Sequence, residues 1–212
     1  MKPSELERPS VADTAPTSAE VLELLSVAEL KAVRRVKHSQ EDALYSDAIV
    51  EAYSFFDANG WLNRAILNQT WKAYAQRWDS FIELPFPPLK EVTGITYVDT
   101  EGATQTLSTD VYGVSKTGLF GKVFLKADQT WPDVGPDPDP IEITFQCGYG
   151  NGAEVKAAVP GIRKAIKLLA THFFENPSQT YAEPRLVEVP RQIMYGITAA
   201  AGKLRIMNDQ AA

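Results

Sequence analysis

Residues Ile141–Gly152 read IEITFQCGYGNG, and residues Pro160–Asn176 read PGIRKAIKLLATHFFEN. In the first stretch Ile141, Ile143, Phe145 and Cys147 alternate with Glu142, Thr144 and Gln146, the period-two pattern of a strand with one face buried and the other wet. The glycines that follow end it. In the second, Pro160 takes a first helical position, where its missing N–H costs nothing, and Ile162, Ala165, Ile166, Leu169 and Phe173 recur at helical spacing on one side. Asn176-Pro177 stops that helix. A strand and a helix stand next to each other here, and their surroundings decide the fold class.

Before this strand, from Gln69 onward, the runs QTWKAYAQRW, FIELPF, VTGITYV, ATQTL, VYGVS and KVFLKA are short, β-branched or aromatic, and separated by Pro and Gly. They predict a small antiparallel sheet. Asp99-Thr100-Glu101-Gly102 reads as a hairpin turn, while WPDVGPDPDP, with Pro132, Pro136, Pro138 and Pro140, is too proline-rich for regular structure. Further towards the start the period is helical. Ser26 with Glu29 is a capping box that opens a short helix, and Ser39 with Asp42 repeats the device for a second helix over Gln40–Ala58. Leu44, Ala48, Ile49, Ala52, Tyr53 and Phe56 are its expected buried stripe, and Asn59-Gly60 ends it. Towards the end, PRQIMYGITAAAGKLRIM is a weaker amphipathic run interrupted by Gly196 and Gly202.

The expected class is therefore α+β, a helical core with an inserted small antiparallel β-sheet. Residues 1–19 are expected to be a flexible tail, because Pro, Ser, Thr and charge leave too little apolar surface to offset the entropy of ordering. Residues 20–68 carry the N-terminal helices of the core, 69–152 the β insert and 153–212 the C-terminal helices.

Composition narrows the function classes. With 212 residues, 44% hydrophobic and 23% charged, the chain can build a core without a metal or disulfide staple. Its net charge of −6 disfavours gripping nucleic acid, since that affinity comes from Lys and Arg displacing phosphate counterions. Cys147 has no second cysteine to pair with, and with His38 and His172 it makes no convincing zinc set. No stretch approaches the ~18 apolar residues of a membrane span, and the N-terminus lacks a signal-peptide pattern. The chain is expected to be made and folded in a cytosol.

Gly148-Tyr149-Gly150-Asn151-Gly152 follows a strand and precedes a helix, as a phosphate-binding loop would, but the dinucleotide fingerprint needs its glycines to run straight into a helix inside a βαβ unit. A flexible strand exit is the competing reading. Cys147 falls on the apolar side of its strand and His172 beside Phe173 and Phe174, so both read as packing residues before a catalytic pair. Asp133, Asp137 and Asp139 lack the Gly and closing Glu of a calcium loop. The charge pattern says more. Asp47 and Glu51 lie on one side of the second helix, whereas Lys31, Arg34 and Arg35 stud the first and Arg163, Lys164 and Lys167 the helix after Pro160. Such separated faces suit side-by-side copies of one chain; an ordinary solvated surface is the alternative.

Between Ser26 and Asn176 several motifs then fall in a recognisable order. They are Asn68-Gln69-Thr70-Trp71, Leu84-Pro85-Phe86-Pro87-Pro88-Leu89 ahead of a Val-Thr-x-Ile-Thr-Tyr strand, Trp131-Pro132, Gly148-Tyr149-Gly150 and the helix end His172-Phe173-Phe174-Glu175-Asn176. In this order the chain resembles the head-tail connector (adaptor) family of long-tailed double-stranded-DNA phages and gene transfer agents. The resemblance implies a structural protein, not an enzyme, with no catalytic residue, cofactor or metal. It implies a homo-oligomeric ring of twelve copies in the virion neck, assembled in the bacterial cytoplasm. The ring would sit under the portal protein, extend the DNA channel and dock a stopper or tail-terminator protein. Twelve copies would carry −72, so duplex DNA would pass through the lumen without being bound. By the same resemblance Lys203, Leu204, Arg205, Ile206 and Met207 are candidates for portal contact. A stopper or tail-completion protein of the same neck is one alternative. A small nucleotide-binding enzyme or hydrolase using the Gly148–Gly152 loop is another, of a different class.

Overall fold

A computed structural model describes residues 12–176 and 189–206. They form two compact units: residues 12–15 with 68–148, and residues 16–67 with 149–176 and 189–206.

The first unit is antiparallel β throughout. Strands β1 (Ala12–Thr14), β2 (Gln69–Ala75), β4 (Leu89–Val98), β5 (Thr104–Thr106) and β8 (Ile141–Cys147) form a sheet in the order β1-β2-β8-β4-β5. A second sheet, β3-β7-β6, holds Phe81–Leu84, Gly121–Leu125 and Tyr112–Ser115. The alternation read in Ile141–Cys147 is the decisive ladder. β8 pairs on both sides, Ile143 opposing Ala73 and Ile95, and its odd-numbered residues are buried. Side chains on one face of a pleated strand share one environment, so the strand at the centre of the sheet shows the cleanest pattern. The proline-rich connector is held by tryptophans. Trp78 and Trp131 stack with centroids 4.5 Å apart, the Trp78 indole N–H donates to the Pro132 carbonyl at 2.9 Å, and that of Trp131 donates to the Asp79 carbonyl at 3.1 Å.

The second unit is helical: α1 (Ser18–Leu24), α2 (Val27–Arg34), α3 (Asp42–Phe56), α4 (Gly152–Ala158), α5 (Pro160–Glu175) and α6 (Arg191–Ala201), followed by a 3-10 turn over Gly202–Leu204. α3 and α6 each pack along α5. The α5 stripe predicted from spacing is buried in full, and Tyr45, Ile49, Phe56, Leu30 and Leu62 complete the core around it.

Four expectations needed correction. The tail assigned to residues 1–19 ends earlier: Ala12–Thr14 lies against β2, and Thr17 caps α1 through a reciprocal box with Glu20. A three-residue strand and a seven-residue helix are too short to carry a periodic signal. α5 begins at Pro160 as expected, but the stretch ahead of it, expected to hold only a strand exit, carries a further helix, α4, from Gly152 on the Asn151–Glu154 capping box. The Ser39 cap does not form. Glu41 stands at the N-cap of α3 without a side-chain bond, and the helix starts at Asp42. Leu44, assigned to the α3 stripe, is exposed, and Tyr45 takes the buried place by stacking on Phe174 with centroids 3.9 Å apart.

Candidate functional site

The residues singled out by charge lie on the helical unit, and several of them are already occupied. Lys31 Nζ is 2.5 Å from Asp42 Oδ1. Arg34 bonds Glu175 at 2.5 Å and lies 5.2 Å from the centre of the Phe174 ring, fastening the end of α2 to the end of α5. Arg163 pairs with Glu29 across α5 and α2. Burial pushes the Glu29 carboxyl up, yet the Ser26 N–H with the Arg163 and Lys156 cations outweighs it and holds the group below the ordinary carboxylate range. Three cations of the proposed face, Lys31, Arg34 and Arg163, are therefore struts inside the chain. Arg35 ends α2 in the left-handed region at φ 57° and is exposed.

Lys164, Lys167, Asp47 and Glu51 are different. Among the described residues none of the four has an ion-pair partner. Asp47 and Glu51 are exposed on α3, where partial burial raises the Glu51 carboxyl. Lys164 and Lys167 line a groove of about 380 Å³ beside α5, whose apolar walls are Val33, Leu168 and Ile193. Polar groups in it are mostly spent: the Thr171 hydroxyl donates to the Lys167 carbonyl at 2.8 Å, the His172 ring contacts Asn176 at 3.2 Å, and Glu175 holds Arg34.

The candidate contact segment near the end of the chain is anchored to the same unit. The Ile206 N–H donates to the Leu62 carbonyl at 3.0 Å, the Asn63 side chain donates to the Ile206 carbonyl at 3.1 Å, and Arg64 donates to the Leu204 carbonyl at 3.0 Å. Ile206 is buried and Leu204 half-buried, while Lys203 and Arg205 are exposed, Arg205 4.8 Å from the centre of the Trp61 ring. Met207 lies outside the described residues.

The glycine loop has a structural account of its own. Gly150, at φ 139°, adopts a conformation open chiefly to glycine. A Cβ on Gly152 would stand 2.8 Å from the backbone of Glu23 and Leu24, so that glycine lets α4 approach α1. The N–H groups of Ala153 and Glu154, which a phosphate would need, already bond Asn151 Oδ1 at 3.0 Å each. Cys147 is buried in the β unit, its Sγ 3.8 Å from the Gln69 carbonyl, and His172 is buried in the helical unit. Among the described residues no three His, Cys, Asp or Glu side chains are placed to hold a metal ion.

No protein-family model matches the chain, and no curated protein matches it. Solved structures do. One is from the neck of an empty gene-transfer-agent particle computed with C6 symmetry, at 18% identity and TM-score 0.66, covering 95% of this chain and 98% of that one. Another is from the virion of a native gene transfer agent particle, at 20% identity and TM-score 0.67, covering 95% and 97%. A third is from the neck of a native particle computed with C12 symmetry, at 18% identity and TM-score 0.65, covering 95% and 98%. The fold is thus similar, over 95% of the chain, to that of chains in these particles. It agrees with the connector resemblance and with the α+β class read from the sequence. No helix among the described residues is long and apolar enough to cross a membrane.

The eight charged candidates were legible by composition, but not the division between internal struts and unspent charges. That division depends on helices meeting across sequence separations of 141 and 134 residues.

Proposed function

We propose that the chain is a structural, non-enzymatic subunit of a virion neck, a head-tail connector that forms a ring under the portal and continues the DNA channel. The observation that carries this reading is similarity over 95% of the chain to nearly whole chains of gene-transfer-agent particles, two of them from necks computed with C6 and C12 symmetry. Cyclic symmetry of that kind needs one surface of each copy to fit a different surface of the next. Acidic net charge suits the channel, because a like-charged wall repels the duplex and lets it slide. Lys203 and Arg205, exposed beside a segment fastened by Leu62, Asn63 and Arg64, are the best-placed candidates for portal contact.

The test is to purify the full chain with the portal protein of the same particle and image the mixture by cryo-electron microscopy. An added annulus of cyclic symmetry on the portal is expected, and it should dissociate more readily when Lys203 and Arg205 are replaced by Glu. Portal rings without added density, over a range of salt, would refute the assignment.

A further inference from the structure

Asp47 with Glu51, and Lys164 with Lys167, mark two surfaces of opposite sign on the helical unit. Leu44, Asp47 and Glu51 sit at positions i, i+3 and i+7 of α3, on the side turned away from Tyr45, Ile49 and Phe56. Leu44 is 59% exposed, an apolar knob next to two carboxylates. The groove is its complement, apolar on Val33, Leu168 and Ile193 and basic on Lys164 and Lys167. Val33 is itself 56% exposed.

The helical rise places Asp47 and Glu51 about 6 Å apart along their axis and Lys164 and Lys167 about 4.5 Å apart along theirs. Two carboxylates can therefore meet two ammonium groups while Leu44 enters the groove. One molecule cannot make this contact with itself. α3 and α5 pack against each other through their buried sides, and the stripe and the groove lie on their outward sides.

Resting on the neck-ring reading, we propose that the α3 stripe of one copy, Leu44 flanked by Asp47 and Glu51, docks into the α5 groove lined by Lys164 and Lys167 of the next copy. The two surfaces are unlike, so the contact is heterologous and repeats from copy to copy, as a closing ring requires. Paired opposite charges fix its register, and the apolar knob supplies the desolvated centre. A small anionic ligand fits the groove less well, because Thr171, His172 and Glu175 already have partners inside the chain.

Sedimentation velocity on the full chain, alone and with portal, tests this with three variants: D47K/E51K, K164E/K167E and all four changes together. Each double variant should associate at least about tenfold more weakly than wild type, because like charges then face each other. The fourfold variant should recover, since its signs match again. An equimolar mixture of the two double variants should also recover, with the two alternating, because the lysine-bearing stripe of one fits the glutamate-bearing groove of the other and the acidic stripe of the second fits the basic groove of the first. If both double variants assemble as wild type does, the interface is overturned and the ring reading stands. If wild type stays a single chain alone and on portal, the ring reading fails and takes the interface with it. Laurate binding that is lost in K164E/K167E while assembly is unchanged would also overturn the proposal and make the groove a ligand site.

Discussion

The two units use charge differently. In the β unit, Lys122 lies directly opposite Glu83 on neighbouring strands, 2.9 Å apart, and Lys72 reaches Glu142 one step along the ladder at 2.8 Å. These pairs follow from strand register, and each cancels charge locally. In the helical unit, Arg34–Glu175 and Arg163–Glu29 join helices far apart in the chain. They tie α2 to α5 and leave Asp47, Glu51, Lys164 and Lys167 over. What the contrast teaches is that strand register pairs charges between neighbouring strands, whereas packed helices pair them across long stretches of chain and can keep a surplus on faces available for a neighbour.

The largest expected effect tests whether the helical unit depends on its core instead of its struts. Ile166→Ala removes a fully buried side chain from the α5 stripe and should lower unfolding free energy by about 2–5 kcal/mol, read from the urea midpoint. Breaking the Arg163–Glu29 strut with Arg163→Met should cost about 1 kcal/mol or less, because the pair is substantially exposed. If the order of the two were reversed, the struts and not the core would hold the unit together.

Gly152→Ala comes next. Its Cβ would press on the Glu23–Leu24 backbone, which cannot rotate away as a side chain could, so about 1–3 kcal/mol should be lost in the same unfolding measurement. Thr17→Ala removes the Oγ1 that accepts the Glu20 N–H at 3.3 Å and should cost about 1 kcal/mol, seen as a lower helix signal in circular dichroism on heating.

The smallest effects sharpen the comparison through pH, and their signs are opposite. The Glu29 carboxyl is lowered from 4.5, so its contribution is full above that value and lost as acid titrates it. The difference in melting temperature between wild type and Glu29→Gln should shrink below about pH 4. Lys72 is raised from 10.5 by its hydrogen bond and charge contact with Glu142, so its contribution is full below that value and lost above it. The difference between wild type and Lys72→Met should therefore shrink in strong alkali. A Glu29 contribution that persisted in acid, or a Lys72 contribution that persisted in strong alkali, would break the contrast.

Much of this arrangement can be read without coordinates. The alternation of Ile141–Cys147 and the 3.6 period of Ile162–Phe173 mark two buried surfaces, because each face of a strand or helix meets one environment. The short elements β1, α1 and α4 escape that reading, since about two turns or three residues contain too few repeats to reveal a period. Helical spacing with Ala48 predicts Leu44 in the buried stripe of α3, yet it is exposed. Tyr45, one residue on and about 100° around the helix, stacks on Phe174, a partner far away in the chain. The proposed docking faces are partly legible in the charge pattern. Which charges are left over depends on that same long-range packing.

The most direct test of the central claim, that copies of this chain assemble with one another in a neck, is the mass of the full chain by light scattering with and without portal. The account predicts a portal complex heavier by the mass of a whole ring of copies, lost in D47K/E51K and regained when Lys164 and Lys167 are also changed to Glu. A complex no heavier than portal alone, at every salt concentration, would contradict it.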